Sequence, residues 1–451
     1  MRETLLSVFV FGYVLSTPLS CSYPGQTINN GSDQDPFACA ILVAQTIPFP
    51  EFKGDALSGI ADYYLEVGRV ENALELARSI DFVPSRIESL SHIAAKYSKD
   101  GRQDLAINII AEAFDLAQAF DPDYSNFRLV FTTVASGYVA IGKPELALNV
   151  LKPIRGETHI RAKALVMISI EYADKGEFDN GLAVISNVEP VFERSFALAE
   201  VADRQMKSGA GGQAIQLMDK ALKLARKVTP ISFRTRALTH ISSKYQEIGQ
   251  VNLASSVLEE ALRTSRAMKN EDSAYTSQAL EELAKLCAIY GQYDKAFSLA
   301  ETIPEPNTKG QVVVEIAKPK YFDDALRIIQ SINDDYVKAT ALAALGLKYA
   351  DAGKNKDAFS LLDQALNTAR MVDDSYYKAI ALADVGKSYS KVLQKEKGSQ
   401  VLSSSLYAAK AVPDAYHQSR VLAIIGVNYI ETGQTPDDSA LRILNEIVGG
   451  L

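Results

Sequence analysis

A phrase of about 33 to 40 residues recurs along the chain from about residue 50 to its end. One copy, KATALAALGLKYADAGKNKDAFSLLDQAL, begins at Lys338, and related copies begin at Arg86 and Arg161. Each copy has two runs of apolar residues spaced three and four apart, separated by a glycine. This spacing predicts two amphipathic helices joined by a tight turn. Because one such hairpin cannot bury its apolar face alone, the repeat predicts an all-α stack of hairpins.

A common frame relates the copies. A glycine ends each first helix, and a tyrosine precedes the glycine by four positions. The glycines of this frame are Gly68, Gly101, Gly142, Gly176, Gly249, Gly291 and Gly353. The tyrosines are Tyr64, Tyr97, Tyr138, Tyr172, Tyr245, Tyr349, Tyr389 and Tyr429. We expect these residues to have structural roles, the glycines in turns and the tyrosines in the packing between helices.

Three copies depart from the frame. The copy around Ile316 is short, and Pro319 is expected to break its hairpin. In the copy with Tyr389, Leu393 stands at the position of the glycine. After Gly433 about two extra residues precede the second helix, which we interpret as a C-terminal cap.

The pattern resembles the tetratricopeptide repeat. Its positions 4, 8, 11, 15, 20 and 27 correspond here to Leu90, Ala94, Tyr97, Gly101, Ala106 and Ala113. The resemblance covers about eleven hairpins of 33–42 residues, although Leu or Phe replaces the family's Trp at position 4. It implies a right-handed α-solenoid whose inner wall binds a peptide. No Lys/Asn set like the carboxylate clamp of some family members is present.

The first residues predict export. Residues 1–21 combine a short start with an apolar run from Leu5 to Leu15, too short to span a bilayer, and end at Cys21. They resemble a degenerate bacterial lipoprotein signal, which implies lipidation at Cys21. Residues 22–36 are rich in Gly, Pro, Asn and Asp and predict a disordered tether. Residues 37–451 form the repeat region, beginning with a half-repeat. A plain secretory signal and a cytoplasmic chain remain alternatives.

Composition excludes several kinds of function. The 451-residue chain carries a net charge of −8, which argues against nucleic acid as a partner. Three cysteines, Cys21, Cys39 and Cys287, form neither a disulfide framework nor a zinc pattern. No nucleotide loop, nucleophile elbow or metalloprotease helix occurs. We therefore expect no enzyme activity, no cofactor, and no catalytic or metal-binding residue.

Two sets of residues are candidates for binding. The inner wall predicted by the resemblance would be formed by small or polar residues of the first helices: Ser58, Asp62, Ser91, Thr132, Ser136, Thr239 and Ser243. A basic residue also begins most first helices: Lys53, Arg86, Arg161, Arg194, Arg234, Lys338 and Lys378. We interpret the basic residues as partners of acidic residues in the preceding linkers, or alternatively as a row that binds an anionic ligand.

The sequence favours a non-enzymatic scaffold or adaptor in the cell envelope that binds another protein or peptide. Contact with a membrane is expected only through a lipid anchor at Cys21. A first alternative is a glycan-binding or substrate-holding accessory of an envelope enzyme. Clustered exposed aromatic residues on the inner wall would support it, but the sequence places most tyrosines at the packing position. A second alternative is a cytoplasmic adaptor.

Overall fold

The computed structural model describes residues 35–120, 126–154, 159–268 and 271–451. In these ranges the protein contains 23 α-helices, one short 3-10 helix and no strand, which confirms the predicted all-α array of helical hairpins. The signal segment, Cys21 and nearly all of the predicted tether lie outside the described residues. Among the described helices none is long and apolar enough to cross a membrane.

The chain divides into two compact units, residues 1–89 with 334–451 and residues 90–333. The first unit contains α1 (Pro36–Gln45), α2 (Pro50–Glu66), α3 (Val70–Ser79), α18 (Asp335–Asp351), α19 (Asn355–Met371), α20 (Ser375–Lys391), α21 (Lys395–Lys410), α22 (Ala415–Thr432) and α23 (Asp438–Gly449). Helix α4 (Val83–Lys99) begins in the first unit and ends in the second.

The second unit contains thirteen further helices. They are α5 (Gln103–Gln118), α6 (Phe127–Ala140), α7 (Pro144–Val150), α8 (His159–Asp174), α9 (Phe178–Ile185), α10 (Val191–Lys207), α11 (Gly211–Ala225), α12 (Ile231–Glu247), α13 (Val251–Ser265), α14 (Ser273–Ile289), α15 (Tyr293–Glu301), α16 (Pro306–Ile316) and α17 (Phe322–Gln330). Consecutive helices pair into hairpins, such as α10 with α11 and α12 with α13, and first helices of successive hairpins lie side by side.

The spacing of Tyr and Gly follows from the hydrogen bonds of the turn. Gly353 has φ of +75°, and the N–H of the next residue, Lys354, donates to the carbonyl of Tyr349 at 2.9 Å. The same bond joins Arg102 to the carbonyl of Tyr97 and Gln250 to that of Tyr245. A helix that ends in this way needs a left-handed residue four positions after the residue whose carbonyl accepts.

The tyrosines of the frame are buried, as expected. Tyr245 and Tyr389 are among the largest fully buried side chains. Their hydroxyls do not stay unsatisfied, because Tyr245 donates to Asp219 at 3.0 Å and Tyr389 donates to Asp363 at 2.5 Å. Both acceptors belong to the second helix of the preceding hairpin, so each tyrosine joins two hairpins.

The irregular copy near Pro319 has a simple structure. Its first helix, α16, ends at Ile316, and a 3-10 turn over Pro319–Tyr321 leads directly into α17. Pro319 supplies no N–H for a continued helix, so the connection is a short turn without the usual glycine.

In the first unit the beginning of the chain packs against its end. Helix α1 lies along α22 and also contacts α2 and α23, while α23 packs on α21. Phe37 and Val43 of α1 are fully buried, and Phe37 stacks on Tyr64 with ring centroids 4.6 Å apart. Helix α1 therefore takes the place beside α22 that a second helix takes in the other hairpins.

Candidate functional site

The predicted inner-wall residues offer little surface. Ser58, Ser91 and Thr239 are each 4% exposed, and Thr132 is also buried. Asp62, Ser136 and Ser243 are half-buried. The small residues lie where neighbouring first helices approach each other, so most of this set is packed and cannot contact a ligand directly.

The arginines that begin first helices have partners of a different kind from those predicted. The Nε atoms of Arg86, Arg194 and Arg234 donate to the carbonyls of Ile80, Val188 and Val228 at 2.6, 2.5 and 2.9 Å. Each carbonyl lies at the end of the preceding second helix. A cation there complements the negative end of that helix dipole and satisfies a free carbonyl. The interpretation as ion pairs with linker acids is therefore wrong for these three arginines.

An aromatic row runs across the amino-terminal ends of four first helices in the first unit. It consists of Tyr336, Tyr377, Tyr376, His417, Tyr416, Phe52 and Phe49, in order of contact. Successive ring centroids are between 4.9 and 6.1 Å apart. Phe49, Phe52 and Tyr377 are 60%, 54% and 46% exposed. Exposed aromatic side chains in one contiguous patch are typical of a recognition surface.

The rings of the aromatic row pack mainly edge to face. The interplanar angles are 70° between Phe52 and Tyr416, 88° between Tyr416 and His417, and 69° between His417 and Tyr376. Such tilted pairs are the favoured geometry of aromatic rings and hold the row as a preformed surface. Asp374 and Asp414 cap the helices beneath it by accepting backbone N–H bonds.

Arg420 lies behind the aromatic row. Its guanidinium donates to the hydroxyl of Tyr416 at 2.8 Å and lies 5.4 Å from the centre of that ring. Within the described ranges no carboxylate is within 4.0 Å of it. Burial opposes its charge, but the neighbouring Tyr416, Tyr376 and Tyr63 raise the pKa of Arg420 above its ordinary value. Burial also raises the pKa of Tyr63 to about 12.

The second unit contains an arginine at the same position of the repeat. Arg236 of α12 lies over the rings of Phe192 and Phe233, at 5.2 and 5.6 Å from their centres. Its Nε atom pairs with the carboxylate of Glu282 at 2.9 Å. Glu282 is at position 6 of the next first helix. The residue at position 6 of α2, the first helix that packs against α22, is Gly59. A Cβ built on Gly59 meets no atom within 4 Å.

A buried charge cluster lies between α10 and α12 of the second unit. Glu200, which is 1% exposed, is 3.1 Å from Nε2 of His240 and 3.2 Å from Nζ of Lys244. Its other oxygen accepts from Arg204 at 2.5 Å. Asp203 accepts from Lys207 at 2.5 Å. Each charged group here has an opposite charge within 4 Å, so the cluster fixes the two helices against each other.

The pKa of Glu200 follows from these contacts. Burial by itself would raise the pKa of the carboxyl, but the hydrogen bond and charge of His240, with Lys244 and Arg204, hold it well below its ordinary value. Glu200 therefore stays ionised. A carboxylate whose pKa lies so far below its ordinary value is too weak a base for general-base catalysis near neutral pH.

A further carboxyl, Asp384 of α20, is half-buried and lies close to α22. Burial raises the pKa of Asp384 to about 6, against the attraction of Lys387. Lys387 also pairs with Glu431. Burial and the charge of Glu431 raise the pKa of Glu66 as well. Asp384 of α20, Glu431 of α22 and Glu66 of α2 therefore form a group of neighbouring acids.

The described parts of the chain contain no cluster of candidate metal ligands. No set of three His, Cys, Asp or Glu side chains has the geometry of a metal site there. Cys39 and Cys287 are free and buried, as their apolar surroundings predict. Burial raises the pKa of Cys39 to about 12 and that of Cys287 to about 11, so neither is a reactive thiolate.

The aromatic row and Arg420 were missed at the level of sequence. A signal did exist: Tyr336, Tyr376 and Tyr416 recur at intervals of 40 residues, three residues before position 1 of the repeat. The predicted binding residues were the inner-wall positions and the basic residues at the starts of first helices, and the aromatic residues at those starts were not among them. The contact of Phe52 with Tyr416 could not be inferred, because it joins the first hairpin to the last.

Comparisons with known proteins add little. No protein-family model and no curated protein matches the chain. Among solved structures, a Podospora anserina kinesin light chain with TPR-like repeats is 18% identical, covering 42% of this chain and 98% of its own, with a TM-score of 0.27. Ton1535 from Thermococcus onnurineus is 14% identical over 81% and 98%, with a TM-score of 0.24. A circular tandem repeat protein is 15% identical over 92% and 93%, with a TM-score of 0.23.

TM-scores this low assign neither a function nor a partner to this chain. Its description therefore rests on its own geometry: helical hairpins that share one frame, a left-handed turn after most first helices and a buried residue at position 11 of most of them. On that basis the chain is an array of TPR-like helical hairpins.

Proposed function

We propose that the protein is a non-enzymatic scaffold that binds another protein or a peptide through the aromatic row. The observation that carries this proposal is the exposure of large apolar rings, with Phe49 and Phe52 more than half exposed. Aromatic residues and Arg are enriched at the centres of protein interfaces, where they contribute most of the binding energy. Arg420 behind the row supplies the polar anchor that such an interface contains.

The test is a cross-linked pull-down with the native protein and a variant of the row, Phe52→Ser with Tyr377→Ser. Both side chains are about half exposed, so the variant should keep its stability and lose capture of the partner about tenfold or more. The matched control is Tyr407→Ser, because Tyr407 is 70% exposed on α21 of the same unit but lies outside the row. Equal capture by the native chain and the row variant would refute the proposal.

A glycan is the second candidate ligand, because clustered aromatic rings also stack on sugars. The tilts of 69° to 88° within the centre of the row favour a protein ligand, since each ring covers part of its neighbour's face. Glycan arrays with the native chain decide between them. Binding of oligosaccharides that is lost in Phe52→Ser would replace the scaffold proposal with the glycan-binding one.

We also propose that this scaffold acts in the cell envelope after export. The apolar run and Cys21 in residues 1–21 support the proposal. The cytoplasmic alternative predicts an intact Met1 in the native protein.

A further inference from the structure

Among the described residues Arg420 has no carboxylate partner, although the arginine at the same repeat position in α12, Arg236, has one. Arg236 and Arg420 occupy position 2 of α12 and α22 and each lies over aromatic rings. Arg236 is neutralised by Glu282 from position 6 of the next first helix. The residue at position 6 of α2, the first helix that packs on α22, is Gly59, and a Cβ built on it meets no atom within 4 Å.

Partial burial of a guanidinium without a neighbouring anion costs free energy. The groups around Arg420 indicate which kind of anion would pair with it. Its five N–H donors form a fixed fork, of which the hydroxyl of Tyr416 accepts one bond. Tyr376 and Tyr63 are the other polar groups that influence its charge. A carboxylate over Gly59 would accept two parallel bonds from the fork, the strongest arrangement available to arginine.

From this geometry we infer that Arg420, Tyr63 and Tyr416 bind the carboxylate of an acidic side chain of the partner peptide, seated over Gly59. The inference rests on the proposed function as a peptide-binding scaffold and names what that peptide must contain. The peptide would place Glu or Asp over Gly59 and apolar residues against the aromatic row. The carboxylate would take the position that the side chain of Glu282 has beside Arg236.

A singly charged ligand group fits better than a phosphate. Arg420 is a single cation, and the acidic groups Asp384, Glu66 and Glu431 lie on α20, α2 and α22. A phosphate of nearly two negative charges requires several cations around it. One guanidinium framed by tyrosine hydroxyls matches one carboxylate.

The geometry is tested by placing the missing carboxylate within the chain. Gly59 has an ordinary helical φ and space around its Cβ, so Gly59→Glu introduces no strain. We expect Gly59→Glu to melt about 2–4 °C above Gly59→Gln at pH 7, since only the charge differs. The difference should disappear in the Arg420→Gln background and below about pH 4, where the carboxyl is protonated. Equal melting temperatures at pH 7 would overturn the inference.

The ligand is tested with an array of hexapeptides whose central residue is Glu or Gln, flanked by Leu, Phe, Tyr or Ser. The full chain should prefer the Glu member of each pair by about tenfold. The preference should be lost in Arg420→Gln and in Gly59→Glu, whose own carboxylate occupies the site. Arg236→Gln is the matched control, because Arg236 has an internal partner and the change should leave the preference intact.

The outcomes separate this inference from the proposed function. Capture of the partner that depends on Phe52 and Tyr377 but not on Arg420 would leave the scaffold standing and overturn the carboxylate site. Loss of the Glu preference in Arg236→Gln as well would also overturn it, since the preference would then not come from Arg420. If 10 mM inorganic phosphate raises the melting temperature of the native chain and the array shows no preference for Glu, the site is one for small anions and the inference is wrong.

Discussion

Leu393 adopts a left-handed conformation, with φ of +68°, at the turn between α20 and α21. In the part of the chain that the structure describes, the other positive-φ residues are glycines. The backbone keeps the same turn because the N–H of Gln394 still donates to the carbonyl of Tyr389 at 3.0 Å. The Leu393 side chain is 86% exposed and contributes little packing to offset the strain. A single residue can thus depart from the repeat while the hydrogen bonds of the repeat are retained.

Substitution of this residue measures the strain. We expect Leu393→Gly to raise the free energy of unfolding by about 1 kcal/mol, because the left-handed conformation costs a side chain about that much. The reciprocal change at the equivalent turn, Gly353→Leu, should lower it by a similar amount. Urea denaturation of the two variants checks both values. Destabilisation by Leu393→Gly would contradict the assignment of strain to this turn.

The raised pKa of Asp384 predicts a dependence of stability on pH. Its pKa of about 6 in the folded chain lies above the ordinary value of an aspartate, so the folded state binds this proton more tightly than the unfolded state does. The contribution to stability is therefore complete below about pH 4 and is lost as the pH rises through 6. Asp384→Asn should raise the free energy of unfolding at pH 7–8 by on the order of 1–3 kcal/mol.

The measurement is urea denaturation of the native chain and of Asp384→Asn at several values of pH from 4 to 8. The gain in Asp384→Asn should shrink as the pH falls towards 4. Asp363→Asn is the contrasting variant, because hydrogen bonds from Lys397 and Tyr389 lower the pKa of Asp363. That change should instead cost stability above pH 4. A gain for Asp384→Asn that is the same at pH 4 and pH 8 would exclude titration of this carboxyl as the cause.

At the scale of elements, the place of α1 depends on close packing against α22. Gly426 of α22 faces Phe37, and a Cβ at Gly426 would lie 2.8 Å from Cδ2 of that ring. The adjacent Cys39 is 1% exposed, and Asp35 caps the helix by accepting the N–H of Ala38. Arg69 pairs with the same Asp35 at 3.4 Å. The sequence does predict a helix here. Gly426 has no positive φ, so a glycine at this position of α22 is explained only by its contact with the ring of Phe37.

The variant Gly426→Ala should weaken the packing of α1. Its matched control is Gly59→Ala, since both glycines lie inside first helices and Ala gains about 1 kcal/mol in each from helix propensity. We expect Gly426→Ala to be about 1–3 kcal/mol less stable than Gly59→Ala because Phe37 must move.

Thiol labelling gives a local measurement of the same effect. In Gly426→Ala, Cys39 should react faster with a thiol reagent, whereas Cys287, buried in the second unit, should not change. Mass spectrometry of the labelled peptides distinguishes the two cysteines. Unchanged labelling of Cys39 in a destabilised Gly426→Ala would show that α1 stays in place and that the strain is relieved elsewhere.

At the scale of the whole molecule, the first unit joins residues from the two ends of the described chain. Helices α1 and α2 contact α22, although nearly 350 residues separate them in sequence. Such a contact closes a very long loop, whose entropic cost rises only slowly with length. The packing of α1 therefore stabilises the contact between the two ends of the described chain. The predicted tether of residues 22–36 leads directly into α1.

The predicted signal is tested by the mature amino terminus of the native protein. If residues 1–21 direct export and lipidation, mass spectrometry should find a chain that begins at Cys21 and carries a lipid, and Cys21→Ser should release the protein from the membrane fraction. A mature chain without lipid that begins near this point would support plain secretion instead. A chain that begins at Met1 would contradict export.

The sequence by itself determined the hairpins, the turns after Tyr64 or Tyr349 and the burial of those tyrosines, because each follows from apolar spacing and hydrogen bonds within about twenty residues. It also indicated the break at Pro319, which depends only on a missing N–H. The candidate site was decided by the tertiary structure. Arg420 and Gly59 lie on adjacent helices because α2 packs on α22, and no local pattern encodes which hairpins become neighbours.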